Sequence, residues 1–197
     1  MASKNILTLN GHPAESSLSA SLLDRYQENA TKAGHLVRRH DLFSKTFDPD
    51  FGDGGYHNPK PLEPDLQTFV DDLLWCDHLV LATPMWWGGL PALLKGLFDR
   101  ALLPGTTFDT RNTNFIGMPA PLLKGRTAST LLTSDTPSYA LSLMYGSAIR
   151  KQLERQIYKF VGLKPVSFKS FAPATEAKPA LVNKWLNVAG QLGAAAR

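Results

Sequence analysis

Three short stretches of this 197-residue chain hold residues whose types and spacing could do chemistry. The first is Asn10-Gly11-His12-Pro13-Ala14-Glu15-Ser16-Ser17-Leu18-Ser19. Its hydroxyls precede a helical pattern, and a helix N-terminus offers free N–H groups and partial positive charge to a phosphate. Ser16, Ser17 and Ser19 could add hydroxyl donors there, and His12 a charge-assisted one. For any one serine, a plain helix cap explains the residue as well as a phosphate does. The second stretch is Thr83-Pro84-Met85-Trp86-Trp87-Gly88-Gly89-Leu90-Pro91. Glycines let backbone approach a flat ligand closely, and the indoles and thioether supply a surface beside it. Core packing with an ordinary turn is the competing explanation. The third, Thr133-Ser134-Asp135-Thr136-Pro137-Ser138-Tyr139, is polar enough to bond the edge of a heterocycle, or to be a simple turn.

The surrounding elements must bring these stretches together. Strands are predicted at 5–10, 35–42, 78–83, 126–133 and 165–171 from short apolar runs bounded by turn residues. Helices are predicted at 16–33, 65–76, 90–103, 145–161 and 177–192, where apolar residues recur at helical spacing. Stretches 43–64 and 104–123 carry no period and read as long loops, which are often functional. Five strands alternating with five helices imply one α/β domain over 1–197, a doubly wound parallel sheet covered on both faces. In such sheets ligands bind beyond the carboxyl ends of the strands, where all three stretches fall. Together they suit one planar phosphorylated cofactor, with its phosphate at the first loop and its ring between the other two. Flavin mononucleotide has that shape.

Composition removes competitors. The formal charge of +4 comes from 21 basic and 17 acidic residues scattered along the chain, which argues against nucleic acid as a partner. A single cysteine, Cys76, excludes an intrachain disulfide framework and a cysteine-rich zinc site. The five histidines show no metal-ligand spacing, and there is no GxGxxG, Walker-type or GxSxG motif. No apolar run is long enough for a membrane helix, and the N-terminal residues lack a signal-peptide pattern, so a cytoplasmic location is expected.

The run from Thr83 to Arg100 (TPMWWGGLPALLKGLFDR) resembles the P-x-x-W-x-G-x-P-A-x-L-K-G-x-x-D/E-R block of the flavodoxin-like NAD(P)H:quinone oxidoreductases. Gly11-His12-Pro13, Ser17-Leu18-Ser19 and Phe47-Asp48-Pro49 add to the resemblance, which spans nearly the whole chain. It implies a three-layer sandwich with a five-stranded parallel sheet of order 2-1-3-4-5. It also implies that His12, Ser17, Leu18 and Ser19 approach the flavin phosphate or ribityl chain. Pro84, Met85, Trp86, Trp87 and Gly88 then contact the ring, and Thr133, Ser134, Asp135 and Thr136 its edge. Asp135 and Thr136 stand where glycines are common. Tyr139 matches an active-site tyrosine, and Tyr145 stands where the best-known members carry a histidine. The implied reaction is ping-pong: NAD(P)H gives a hydride to flavin N5 and leaves, and a quinone takes its place. The implied cofactor is FMN, with FAD as the alternative, and the implied assembly is a homodimer in which 104–123 walls the partner's site. An ancillary subunit of a potassium-efflux system is the alternative function, with no direct membrane insertion in either case.

Overall fold

The structure, a computed structural model, describes residues 2–56 and 58–197; Met1 and His57 lie outside the description. Its elements run β1 (Asn5–Asn10), α1 (Leu18–Lys32), β2 (Leu36–Asp41), α2 (Pro64–Trp75), β3 (His78–Pro84) and α3 (Ala92–Ala101). Then follow β4 (Phe108–Thr113), β5 (Pro119–Pro121), β6 (Thr127–Thr133), α4 (Ser138–Tyr145), α5 (Ala148–Lys151), α6 (Lys159–Val161), β7 (Val166–Phe171) and α7 (Pro179–Ala194). A π-helical turn, Gln152–Tyr158, joins α5 to α6.

The main sheet has the order β2-β1-β3-β6-β7, and every pairing is parallel. Among those five strands this is the expected order 2-1-3-4-5. Alternating side chains explain how both faces are buried. Ile6, Val80, Ala82 and Leu131 point to one face, where they meet Leu22, Leu23 and Tyr26 of α1 and Ala189 of α7. Leu7, Leu9, Leu79, Leu81 and Leu132 point to the other, against Phe69 and Leu73 of α2, Leu94 and Leu97 of α3, and Leu153. From β1 the chain turns first to β2 on one side and later to β3 on the other. That reversal opens a crevice at the carboxyl ends of β1 and β3.

Two expectations need correction. Stretch 104–123 is not wholly irregular, because β4 and β5 pair there as an antiparallel hairpin. The helix expected at 145–161 does not start at Tyr145. That residue ends α4, and a left-handed pair, Gly146 (φ 57°) and Ser147 (φ 56°), separates α4 from α5.

The long 43–64 stretch is fastened rather than loose. Arg100, on α3 and only 2% exposed, donates to the carbonyls of Asp48 and Pro61 and forks onto the Glu63 carboxylate at 2.9 and 3.2 Å. One turn earlier, a Cβ on Gly96 would lie 2.5 Å from Cβ of Pro49, so the loop rests directly on the α3 backbone.

At the opposite end of the sheet His78 is 2% exposed, with Nδ1 2.6 Å from Thr127 Oγ1 and no partner on Nε2. Burial lowers its pKa to about 4 from an ordinary 6.5. The unfolded chain therefore takes up this proton near pH 6.5 while the folded chain refuses it until about pH 4. Stability is full above that window and is lost as pH falls through it, by about 3 kcal/mol from this residue. Urea denaturation at pH 7 and pH 4.5 should show a smaller acid loss in His78→Asn than in the unaltered chain. Equal losses would dismiss His78 as the cause.

Candidate active site

The sheet register brings the three chemical stretches side by side. Asn10 pairs with Ala82, and Pro84 pairs with Thr133, so the loops after β1, β3 and β6 leave from adjacent points. Gly11 makes the first crossing possible: its N–H donates to Ala82 O at 2.7 Å, and a Cβ there would meet Leu94 Cδ2 at 2.6 Å and Thr83 Oγ1 at 3.1 Å. Met85 N–H donates to Thr133 O at 2.8 Å, which ties the second loop to the third.

Two cavities open on this junction and share Met85 and Asp135. The polar one, about 280 Å³, is lined by His12, Ser16, Ser17, Leu18 and Ser19 from the α1 start, by Pro84, Met85 and Trp86, by Thr133, Ser134 and Asp135, and by Ala174 and Thr175. The more apolar one, about 490 Å³, is lined by Met85, Trp87 and Gly88, by Asp135 and Thr136, and by Leu141, Tyr145, Ala148 and Ile149. Every site residue expected from the sequence lines one or both, except Tyr139. That tyrosine stands on α4, 70% exposed and outside both linings.

Individual groups are already partly committed. Ser17 Oγ accepts from Ala20 N at 3.1 Å and so caps α1. Ser19 Oγ lies buried 3.3 Å from Thr133 Oγ1, a bond between the first and third loops. His12 Nδ1 accepts from Ala14 N at 3.0 Å, which leaves Nε2 as the donor, and its ring meets Trp86 edge-on with centroids 5.6 Å apart. Ser16 has no such internal bond and is exposed.

The second loop is a two-residue hairpin turn. Trp86 and Gly89 exchange both backbone hydrogen bonds, at 3.0 and 2.9 Å. The central pair, Trp87 at φ 52° and Gly88 at φ 76°, has the doubly positive φ of a type I′ turn. Gly88 suits that conformation, whereas a bulky residue there is strained. Trp87 is fully exposed and Trp86 nearly half so, which removes core packing as the reason for the tryptophan pair.

The loop after β7, which carries no motif, supplies a fourth wall through Ala174 and Thr175. Asp135 accepts from Thr175 N at 2.7 Å and from Thr175 Oγ1 at 2.8 Å, and Ala174 N donates to Ser134 O. Those two bonds from Thr175 hold the Asp135 carboxyl below its ordinary pKa. An aspartate where glycine is common thus fastens the fourth wall of the polar cavity. The same carboxyl-end rule that selected the other loops would have found residues 172–176; only their plain composition hid them.

The arrangement can hold an elongated ligand with an anionic end and a flat end. Its anionic end faces the α1 N-terminus, Ser16 and His12 Nε2; its flat end faces the 85–88 backbone. That donor set fits the phosphate, chain and ring of a flavin mononucleotide.

Comparison with known proteins agrees with this geometry. The family model described as flavodoxin-like fold matches residues 4–189, and the chain belongs to that family. An uncharacterized NAD(P)H oxidoreductase of Haemophilus influenzae is 27% identical over 172 residues, covering 85% of this chain and 83% of the relative. An FMN-dependent NADH:quinone oxidoreductase of Ruegeria pomeroyi is 30% identical over 98 residues, half of this chain and 47% of the relative. Among solved structures, the NAD(P)H:quinone oxidoreductase of Methanothermobacter marburgensis superposes with a TM-score of 0.81 at 22% identity, covering 100% of this chain and 97% of its own. The resemblance read from the Thr83–Arg100 block therefore extends across the chain. Among the described residues no helix is long and apolar enough to cross a membrane.

Proposed function

We propose that this chain is a flavin-dependent NAD(P)H oxidoreductase that holds FMN and passes electrons to a quinone-like acceptor. The observation that carries the reading is the junction of the two cavities across Met85 and Asp135. One cavity is polar and abuts a helix N-terminus; the other is apolar, open and large enough for an aromatic co-substrate. The names of the Haemophilus and Ruegeria relatives support the same chemistry. The transporter-subunit alternative draws no support from them.

Bound FMN would supply two-electron hydride exchange at its N5, with NAD(P)H and then the acceptor using the same face in a ping-pong cycle. The chain's own residues bind and orient. His12 Nε2–H and the Ser16 hydroxyl donate to the phosphate, together with the first free N–H groups of α1. Backbone at Met85, Trp86, Trp87 and Gly88 lies along the ring, and Thr133 to Thr136 border its edge. Leu141 and Ile149 exclude water from the floor of the larger cavity. Of the two tyrosines, Tyr145 lines that cavity, so its phenol is assigned to hold a proton toward the acceptor oxygen, while Tyr139 stands exposed outside both linings.

Exposed apolar groups support the homodimer. Trp87 and Tyr145 line the larger cavity, Leu143 and Met144 stand exposed beside Tyr145 on α4, and Phe115 and Ile116 cap the β4–β5 hairpin. A second copy that lays its hairpin beside the cavity would cover both sets. Cytoplasmic residence completes the proposal, in keeping with the one buried free thiol.

One preparation tests the reading. Purified protein should be yellow, release FMN by mass, oxidise NADPH or NADH with menadione, and elute at twice 21.6 kDa. Tyr145→Phe should lower turnover several-fold with flavin content unchanged. A colourless protein that fails to take up added FMN would overturn the reading.

A further inference from the structure

A third cavity, about 290 Å³, lies beside the larger one and shares Leu141 and Ile149 with it. Its remaining lining is Leu132, Ser138, Ser142, Ser147, Arg150, Phe168, Lys169 and Ser170. Leu132 pairs with Ser170 near the carboxyl ends of β6 and β7, so this cavity opens at the same end of the sheet. Both site cavities are walled by Asp135; this one has no carboxylate in its lining.

Four hydroxyls meet there: Ser138 and Ser142, one turn apart on α4, Ser147 in the left-handed break, and Ser170 on the edge strand. Among the described residues none of these hydroxyls has an internal hydrogen-bond partner. Arg150 supplies the cation. Its Nε is bonded to Glu154 at 2.9 Å, its guanidinium lies over the Phe168 ring at 5.7 Å, and both Nη groups remain available. Lys169 borders the cavity from the edge strand. Alternation along β7 turns its stem away from the face that carries Phe168 and Ser170, so Arg150 is the cation that matters.

Unpaired hydroxyls around a forked guanidinium are the donor set of a phosphomonoester. We infer that this cavity binds the 2′-phosphate of NADPH and makes the protein selective for NADPH over NADH. The inference rests on the NAD(P)H reading above and names which dinucleotide that site takes. The nicotinamide would occupy the larger cavity. The adenosine end would cross α4, whose breadth of about 10 Å is within the reach of an extended dinucleotide. Ser147 at φ 56° fits this use: the break between α4 and α5 is where the ligand would pass, and it leaves the Ser147 hydroxyl unbonded.

The test separates the cavity from the catalytic reading. Flavin-loaded protein is titrated by calorimetry with adenosine 2′,5′-bisphosphate and with adenosine 5′-monophosphate. The bisphosphate should bind at least about tenfold more tightly, as expected for one charge-assisted phosphate contact. Arg150→Gln and the double variant Ser138→Ala with Ser142→Ala should erase that difference, and Arg150→Lys should restore part of it. In steady-state assays with menadione, the same variants should raise KM for NADPH about tenfold while KM for NADH, kcat and flavin content stay unchanged. Equal binding of the two nucleotides by the unaltered protein would overturn the inference. So would an equal rise in both KM values, or complete displacement of the bisphosphate by low inorganic phosphate. If neither dinucleotide is oxidised, the catalytic reading fails, and the nucleotide titration still decides the cavity.

Discussion

Arg100→Met is expected to lower the melting temperature by about 6–12 °C. The side chain is 2% exposed, and its two Nη groups donate four bonds to two backbone carbonyls and a carboxylate from the 43–64 stretch. Methionine fills much of the same space, so the loss is chiefly electrostatic. It leaves the Asp48 and Pro61 carbonyls without their donor and Glu63 without its counter-charge. Breaking this pair, whose Glu63 side chain is 32% exposed, from its buried arginine side costs about 3 kcal/mol, the low end for buried cases. In a chain of this size each kcal/mol moves the midpoint by about 2–4 °C. Arg100→Lys should recover little, because an ammonium cannot reach three acceptors in a planar fork. The loop itself reports the mechanism: limited proteolysis should begin within 45–63 in Arg100→Met and elsewhere, or not at all, in the unaltered protein. A midpoint shift under 2 °C would mean that the Gly96–Pro49 contact and the Lys60 ion pairs with Asp48 and Asp50 suffice to hold the loop.

Gly11→Val should abolish flavin retention and destabilise the fold. Even the Cβ atom has no room, lying 2.6 Å from Leu94 Cδ2, 3.1 Å from Thr83 Oγ1 and 3.2 Å from Leu81 Cδ1. All three neighbours are themselves buried in the sheet or α3, so none can swing into solvent. Overpacking of this kind costs about 1–3 kcal/mol, and the branched methyls of valine place it at the upper end. The functional effect exceeds the stability effect. Gly11 also anchors the turn that carries His12, whose N–H is held by Asn10 Oδ1 at 3.2 Å and whose Nδ1 holds Ala14. A shift of the Gly11 backbone moves the whole donor set relative to Met85 and Thr133. Fluorescence titration with FMN should therefore show at least a hundredfold weaker binding, while circular dichroism keeps the α/β signature. Gly11→Ala should fall between the two. Unchanged FMN affinity in both variants would place the phosphate somewhere other than the His12 loop.

Much of the scaffold was legible along the chain. Apolar runs such as HLVLAT and helical spacing such as Leu66, Phe69, Val70 and Leu73 are local patterns, and they predict strands and helices to within a few residues. The parallel sheet follows from alternation of those elements. Weak local signals are less legible. Phe108–Thr113 is mostly exposed and polar, and its short partner Pro119–Pro121 begins and ends in proline, so neither looks like a strand until the two pair. The break at Gly146 and Ser147 carries one signal, the helix-ending Gly146, whereas the left-handed backbone of Ser147 leaves no mark in the sequence.

The same division runs through the site. Chain position alone assigned residues 10–19, 83–91 and 133–139 to one end of the sheet, because strand–loop–helix order dictates which loops emerge there. It could not apportion their polar groups. Folding commits Ser17 to a cap, Ser19 to Thr133 and Asp135 to Thr175, and it leaves Ser16 and His12 Nε2 free. It also turns Trp87 outward, draws Tyr145 to a cavity that Tyr139 does not reach, and adds Ala174 and Thr175 to the wall. The reason is physical. A period is a property of neighbouring residues, whereas the partners of Ser19 and Asp135 lie 114 and 40 positions away. Those pairings exist only once the strands have set their register.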